Sequence, residues 1–193
     1  MKNYQLVLAS TSPFRQELLK KLQIEFIAAK PNCNETPLPN ETPTELVSRL
    51  SLQKAKSCSV AQPSLVVGSD QVCVIDEEIV GKPHSVDKAI EQLQRQSGKT
   101  ITFYTGLSVW NSETNLAETI VDTFKVHFRD LTQTQIETYV EKEQPLQCAG
   151  SFKSEGLGIA LFSQLEGKDP NSLVGLPLIE LIDLLAKFDF KVL

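Results

Sequence analysis

Several polar side chains stand at the ends of apolar runs or in tight turns: Ser10, Ser12, Arg15, Glu35, Lys54, Asp70, Gln71, Lys82, Lys153 and Glu155. Four cations beside three carboxylates suit a phosphate chain with a bound divalent metal. Lysine and arginine neutralise phosphate oxygens, and carboxylate oxygens are hard ligands for Mg²⁺ or Mn²⁺. Asp70 is the most informative of the set. It sits between two apolar, β-rich runs, Leu65–Gly68 and Val72–Ile75. Burying a carboxylate without a partner is costly, so Asp70 must face a cleft, a cation or a metal.

The opening stretch positions a second group of candidates. Leu6–Ala9 reads as a short buried strand and is followed by three hydroxyls, Ser10, Thr11 and Ser12, then Pro13. Ser12 is a suitable N-cap and Pro13 a suitable first helical residue. Leu18, Leu19 and Leu22 then share one helical face. Such a turn aims backbone N–H groups and the positive helix end at one point, which suits an anion. Arg15, in the first helical turn, gains nothing from the helix dipole and is expected to face a negative ligand.

Further along, Ile24–Ala28 reads as a second strand and 31–42 as a long loop with three prolines. Thr42-Pro43-Thr44-Glu45 is a capping box opening a helix that turns Leu46, Val47, Leu50 and Ala55 inward, with Arg49, Lys54 and Lys56 among its polar positions. Asp76–Glu78 reads as a hairpin turn and Gly81-Lys82-Pro83 as another tight turn. Ser85 caps a helix to about Gln96, with Ala89, Ile90 and Leu93 inward. Two long strands follow, Thr100–Trp110 and Leu116–Phe128, then a capping box at Thr132 and Gln135. The stretch 147–158 carries three glycines among polar residues, which lets backbone approach a ligand. Gly158–Phe162 reads as a strand, and the last helix turns Leu178, Leu181, Ile182 and Leu185 inward.

Composition narrows the classes. The 193 residues carry a net charge of −5 and 41% hydrophobic residues. No basic stripe argues for a nucleic-acid partner, and no apolar run is long enough to span a bilayer. Met1–Tyr4 leads straight into the first strand, leaving no room for a signal peptide. The four cysteines, Cys33, Cys58, Cys73 and Cys148, show no Cys-x-x-Cys spacing, which fits a reducing compartment. The expected location is cytoplasmic. With His84 and His127 the only histidines and no Gly-x-Ser-x-Gly, serine hydrolase chemistry is poorly supported. Neither a P-loop nor Gly-x-Gly-x-x-Gly is present. Cys73 reads as core.

Six stretches, Ala9–Arg15, Asn34-Glu35-Thr36-Pro37, Gly68-Ser69-Asp70-Gln71, Gly81-Lys82-Pro83, Tyr104-Thr105-Gly106 and Gly150–Gly156, together resemble the Maf family of nucleotide pyrophosphatases. The resemblance covers essentially the whole chain, 1–193, as one domain. Within the family the chain looks like the YceF-type branch, which hydrolyses 7-methyl-GTP to 7-methyl-GMP and pyrophosphate. The resemblance implies an elongated mixed α/β fold, a sheet with flanking helices in two lobes around a central cleft, akin to the inosine-triphosphate pyrophosphatases. It further implies a divalent metal (Mg²⁺ or Mn²⁺), a homodimer and a cytoplasmic location. Asp70 matches the family's proton acceptor, and Phe14, Gln71 and Glu155 match positions that set base choice. Two departures stand out: Asn34 replaces the usual aspartate, and Phe14 stands where many relatives have a second arginine.

The expected reaction is attack of water on the α-phosphorus, with pyrophosphate leaving. Asp70 takes a proton from that water or holds it through the metal, and Glu35 helps hold the metal. Arg15, Lys54 and Lys82 neutralise the phosphates, and Ser10 and Ser12 bind phosphate oxygens. Two alternatives stay open at this point: the same reaction on dTTP or UTP, and a nucleotide-binding regulator of cell division without turnover.

Overall fold

The structure is a computed structural model and describes residues 4–193. The reading of residues 1–3 as leaving no room for a signal peptide lies outside the described residues. Among the described residues seven strands and six α-helices follow one another as β1 (Gln5–Ala9), α1 (Pro13–Lys20), β2 (Ile27–Ala29), α2 (Pro43–Lys56), β3 (Ser64–Ile75), β4 (Glu78–Val80), α3 (Val86–Gln96), β5 (Thr100–Asn111), β6 (Ala117–Phe128), α4 (Gln133–Glu143), β7 (Phe162–Glu166), α5 (Asn171–Val174) and α6 (Leu178–Ala186). The strands form a mixed sheet in the order β2-β1-β3-β5-β6-β7, with β4 paired to β3. The chain divides into two compact units.

The first unit holds the chain up to Asp70, Thr105–Asp122 and Asp169–Leu193. Here β1 pairs in parallel with both β2 and β3. The period of two is visible in the packing. Leu6 and Leu8 join Leu65, Val67, Leu107 and the α6 leucines in one cluster, while Val7 and Ala9 join Val66, Ala55 and Cys58 in another. Helices thus cover both faces of these strands, which is why their sequences read as unbroken apolar runs.

Two glycines bring α2 close to the strands. A Cβ on Gly68 would stand 2.0 Å from the carbonyl oxygen of Ser51, and one on Gly106 would stand 2.0 Å from that of Val47. Only glycine permits the helix backbone to lie at this distance. A hydroxyl pair, Ser51 Oγ and Ser108 Oγ at 2.9 Å, adds a buried hydrogen bond between α2 and β5.

The second unit holds Gln71–Tyr104 and Thr123–Lys168. Strand β4 folds back antiparallel on β3, and β7 runs antiparallel to β6. Asp76 and Glu77 make the tight turn between β3 and β4, both with left-handed φ, 51° and 66°. Phe103, Phe128, Phe152 and Phe162 pack edge to face, with centroids 4.9–5.6 Å apart. Each such pair adds about 0.5–1.5 kcal/mol beyond its burial.

The local expectations hold at the caps and differ at several edges. Thr42 with Glu45 and Thr132 with Gln135 form complete capping boxes, and Ser85 caps α3. The second strand starts at Ile27 rather than Ile24, because Gln23 takes φ 54° and only Ile27–Ala29 pair with β1. The expected strand at Gly158–Phe162 is a 3-10 turn over Leu157–Leu161, with β7 beginning at Phe162. The Gly158 N–H donates to the carbonyl of Lys153 at 3.1 Å, which curls the chain there. Gly81-Lys82-Pro83 forms no turn but runs irregularly into the Ser85 cap. In α6 it is Leu184, not Ile182, that is buried; Ile182 is 38% exposed.

Candidate active site

Asp70 lies within β3 and is buried together with Lys54 of α2. The Lys54 ammonium donates to Asp70 Oδ1 at 2.6 Å and lies 2.8 Å from Glu35 Oε2. Asp70 follows Gly68 by two residues, so the two share a face of the strand. Lys54 follows Ser51 by three residues, so those two share a side of the helix. The close approach at Gly68 and Ser51 therefore delivers lysine to aspartate. Sequence reading placed Lys54 among the polar positions of α2, whereas its side chain is only 8% exposed. The partner it finds explains the burial, since an unpaired charge there would be strongly unfavourable.

Glu35 belongs to the loop 31–42, which is anchored rather than loosely solvated. Glu41 accepts from both Arg49 Nε (2.5 Å) and Nη2 (2.6 Å), and Arg49 Nη2 also reaches the carbonyl of Thr36 at 3.3 Å. At the other end the Asn32 N–H donates to Ser57 Oγ at 3.0 Å. Hydrogen bonding to Arg49 holds the Glu41 carboxyl at about 2, well below its ordinary 4.5. Asn34 Oδ1 accepts from the Thr36 N–H at 3.0 Å. It closes a local turn, a bond that aspartate would make equally, so nothing in the structure explains the departure from aspartate here.

Arg15 completes the group in the first unit. Burial disfavours its charge, and the carboxylates of Asp70 and Glu35 offset part of that cost. The Ser12 cap forms as expected, its Oγ accepting from the Arg15 N–H at 3.4 Å. Ser10 Oγ accepts from the Ser12 N–H at 3.1 Å. With these bonds made to oxygen lone pairs, each hydroxyl still has its proton to donate to a further acceptor. Phe14 is 37% exposed beside Arg15.

Lys82, Gln71 and Glu155 belong to the second unit. Glu155 and Lys82 are exposed, and Gln71 is half-buried at the start of that unit's share of β3. Lys82, Lys153 and Glu155 all act on Cys148. Burial pushes its thiol pKa up, Glu155 adds to the rise, and the two lysines oppose it. Lys153 is pinned: its Nζ donates to the carbonyl of Glu143 at 2.7 Å and its N–H to Tyr139 Oη at 3.0 Å. Glu143 Oε2 in turn accepts from the Leu157 N–H at 3.0 Å, holding the loop that carries Glu155.

A polar network in the first unit escaped sequence reading. Buried Asp169 accepts from the N–H of Asn171 (2.8 Å), Asn171 Nδ2 (2.7 Å) and the N–H of Ile179 (2.9 Å). Ser172 Oγ donates to Asp122, and Thr105 Oγ1 donates to the carbonyl of Ser172 at 3.2 Å. The available signal was Asp169-Pro170-Asn171, an acidic side chain placed to bond backbone two residues on.

Among the described residues no group of three or more His, Cys, Asp or Glu side chains is placed to hold a metal. The pair Glu35 and Asp70, drawn together on one ammonium, offers two hard carboxylates. That donor set fits Mg²⁺, which commonly takes one or two carboxylates and completes its shell with water and substrate phosphates. No helix of the described residues is long and apolar enough to cross a membrane.

A strand-borne carboxylate paired with a lysine and lying in the field of an arginine is compatible with chemistry on a nucleotide polyphosphate. The model of the Maf-like protein family matches residues 5–188. The chain is 67% identical over 193 residues to the 7-methyl-GTP pyrophosphatase of Vibrio vulnificus (strain CMCP6), covering all of both chains. It is 65% identical over 185 residues to the 7-methyl-GTP pyrophosphatase of Vibrio cholerae serotype O1 (strain ATCC 39315 / El Tor Inaba N16961), covering 96% of each. The chain belongs to the Maf family. A looser likeness is to the Staphylococcus aureus Ham1 protein, at 16% identity and TM-score 0.48 over 80% of this chain and 89% of that one.

Proposed function

We propose that this chain is a nucleoside triphosphate pyrophosphatase that hydrolyses 7-methyl-GTP to 7-methyl-GMP and pyrophosphate. The observation that carries the reading is the Lys54 ammonium between Asp70 and Glu35, with Arg15 in their field. The near-identical length and high identity of the 7-methyl-GTP pyrophosphatases above supply the substrate. A binder without turnover has no use for a carboxylate beside polyphosphate, which repels it.

Asp70 accepts the proton of the attacking water, and the Lys54 hydrogen bond keeps Asp70 oriented for that task. Arg15 and Lys82 neutralise phosphate charge as it moves to the leaving pyrophosphate. The Ser10 and Ser12 hydroxyls donate to phosphate oxygens. Glu35 and Asp70 would hold a divalent ion. When bound, it supplies charge neutralisation at the phosphates and lowers the pKa of bound water. Phe14, Gln71 and Glu155 choose the base. A homodimer in the cytoplasm belongs to the same reading, and sedimentation tests the first of these.

The test is a panel of nucleoside triphosphates, including 7-methyl-GTP, GTP, dTTP and UTP, assayed for pyrophosphate release with Mg²⁺ or Mn²⁺. The expected result is the highest kcat/KM with 7-methyl-GTP. Preference for dTTP or UTP overturns the base assignment, and binding without release overturns the enzyme.

A further inference from the structure

One backbone oxygen ties the arginine of the candidate site to the strand that carries its aspartate. The carbonyl of Gly175 accepts from Arg15 Nε at 2.9 Å and from Ser69 Oγ at 2.8 Å. Ser69 is buried and immediately precedes Asp70. All three residues belong to the first unit. Among the described residues, the hydrogen bond from the Arg15 side chain runs through Nε to that carbonyl.

Position 175 disfavours a side chain in two ways. Its φ is 106° and its ψ 16°, a backbone conformation that residues with a Cβ rarely adopt. A Cβ there would also stand 3.2 Å from Arg15 Nε and 3.3 Å from Nη2. The segment around it is held firmly. The Gly175 N–H donates back to the carbonyls of Asn171 (3.2 Å) and Ser172 (3.0 Å), and Asp169 anchors both Asn171 and Ile179. The carbonyl therefore presents itself from a fixed place.

We propose that Gly175 is a positioning residue for the phosphate-binding arginine. Its carbonyl fixes the plane of the guanidinium through Nε, leaving the two terminal nitrogens as a fork for phosphate oxygens, and couples that plane to Ser69 beside Asp70. A fork held this way loses less rotamer freedom on binding and keeps its bidentate geometry. The proposal rests on the pyrophosphatase reading and names a part of its machinery outside the six stretches that carry the family resemblance.

The test compares Gly175→Ala, Arg15→Lys and the double variant. Each is checked for native circular dichroism, then measured for kcat and KM with 7-methyl-GTP and for affinity toward inorganic tripolyphosphate. Gly175→Ala is expected to raise KM and weaken tripolyphosphate binding about tenfold, with a smaller change in kcat, within the roughly hundredfold that an ångström of misplacement can cost. Lysine keeps the charge at position 15 but has no Nε–H to give. In the Arg15→Lys background, Gly175→Ala should therefore change either quantity by less than about twofold. Effects that multiply overturn the proposal, as does a Gly175→Ala variant with wild-type constants.

If the wild-type chain releases no pyrophosphate, the functional reading fails, while tripolyphosphate affinity still tests the clamp. If Gly175→Ala does not fold, the Arg15 Nε–H resonance of the wild-type chain decides, assigned by its loss in Arg15→Lys. Slow solvent exchange that persists with tripolyphosphate bound supports the clamp, and fast exchange overturns it.

Discussion

Lys54 Nζ and Asp70 Oδ1 lie 2.6 Å apart, with side-chain exposures of 8% and 11%. A buried pair of this kind is far more sensitive to loss of one partner than to loss of both. Replacing Lys54 by Met keeps the length of the side chain and removes the charge. Lys54→Met should lower stability to urea by about 3–5 kcal/mol. Adding Asp70→Asn should recover part of the loss, and a fully additive double variant would show that the two charges do not depend on each other.

Asp70→Asn alone tests the chemistry. The shape is kept and the proton acceptor is lost, so turnover should fall about a hundredfold to ten-thousandfold while circular dichroism stays native. Near-normal pyrophosphate release from this variant would assign the proton to another group.

The carboxylate pair gives a metal prediction with two readouts. A chelator should abolish turnover, and either Mg²⁺ or Mn²⁺ should restore it. Glu35→Gln should weaken Mn²⁺ binding measured by electron paramagnetic resonance, apart from any assay of activity. Full turnover in metal-free buffer would remove the ion from the reaction.

Base choice is expected to separate between Phe14 and Glu155. N7-methylation places a positive charge on guanine, and stacking of a cation on an aromatic face contributes about 0.5–2 kcal/mol. Phe14→Ala should therefore weaken kcat/KM for 7-methyl-GTP more than for GTP. A carboxylate accepts the two adjacent N–H donors of guanine in parallel, so Glu155→Gln should weaken both substrates. If both variants keep the wild-type preference, the base is read elsewhere.

The loop anchor titrates in acid. Glu41 is held at about 2 against an ordinary 4.5 by its bonds to Arg49. A carboxyl lowered on folding contributes stability that is present at neutral pH and is lost as pH falls from about 4.5 toward 2. Urea midpoints of wild type and Glu41→Gln should differ at pH 7 and converge as pH approaches 2. A gap that does not narrow would assign the anchor's contribution to something other than charge.

Local signals in the sequence carried much of this. Ser12, Thr42, Ser85 and Thr132 announce helix starts because a cap is a matter of neighbouring residues. The isolated charge of Asp70 between apolar runs called for a cleft, a cation or a metal, and Lys54 is a cation that meets it. What stayed illegible depends on distant chain. Nothing near Lys54 says that a helix face bearing lysine will be buried; that follows from Gly68 and Gly106. Nothing near Arg15 announces Gly175, whose carbonyl comes from the far end of the chain. The curl at Gly158, where a strand was expected, likewise depends on a carbonyl outside the local pattern.

The glycine contacts beneath α2 also set what can move. Backbone resting on backbone leaves no compressible layer of side chains, so the helix has no room to slide or rock against β3 and β5. Any displacement of the Lys54 ammonium from one oxygen to another must come from its own four methylenes. The site thus combines an immobile mount with a flexible tether, so that any shift of this charge falls on the timescale of rotamer changes rather than of helix motion.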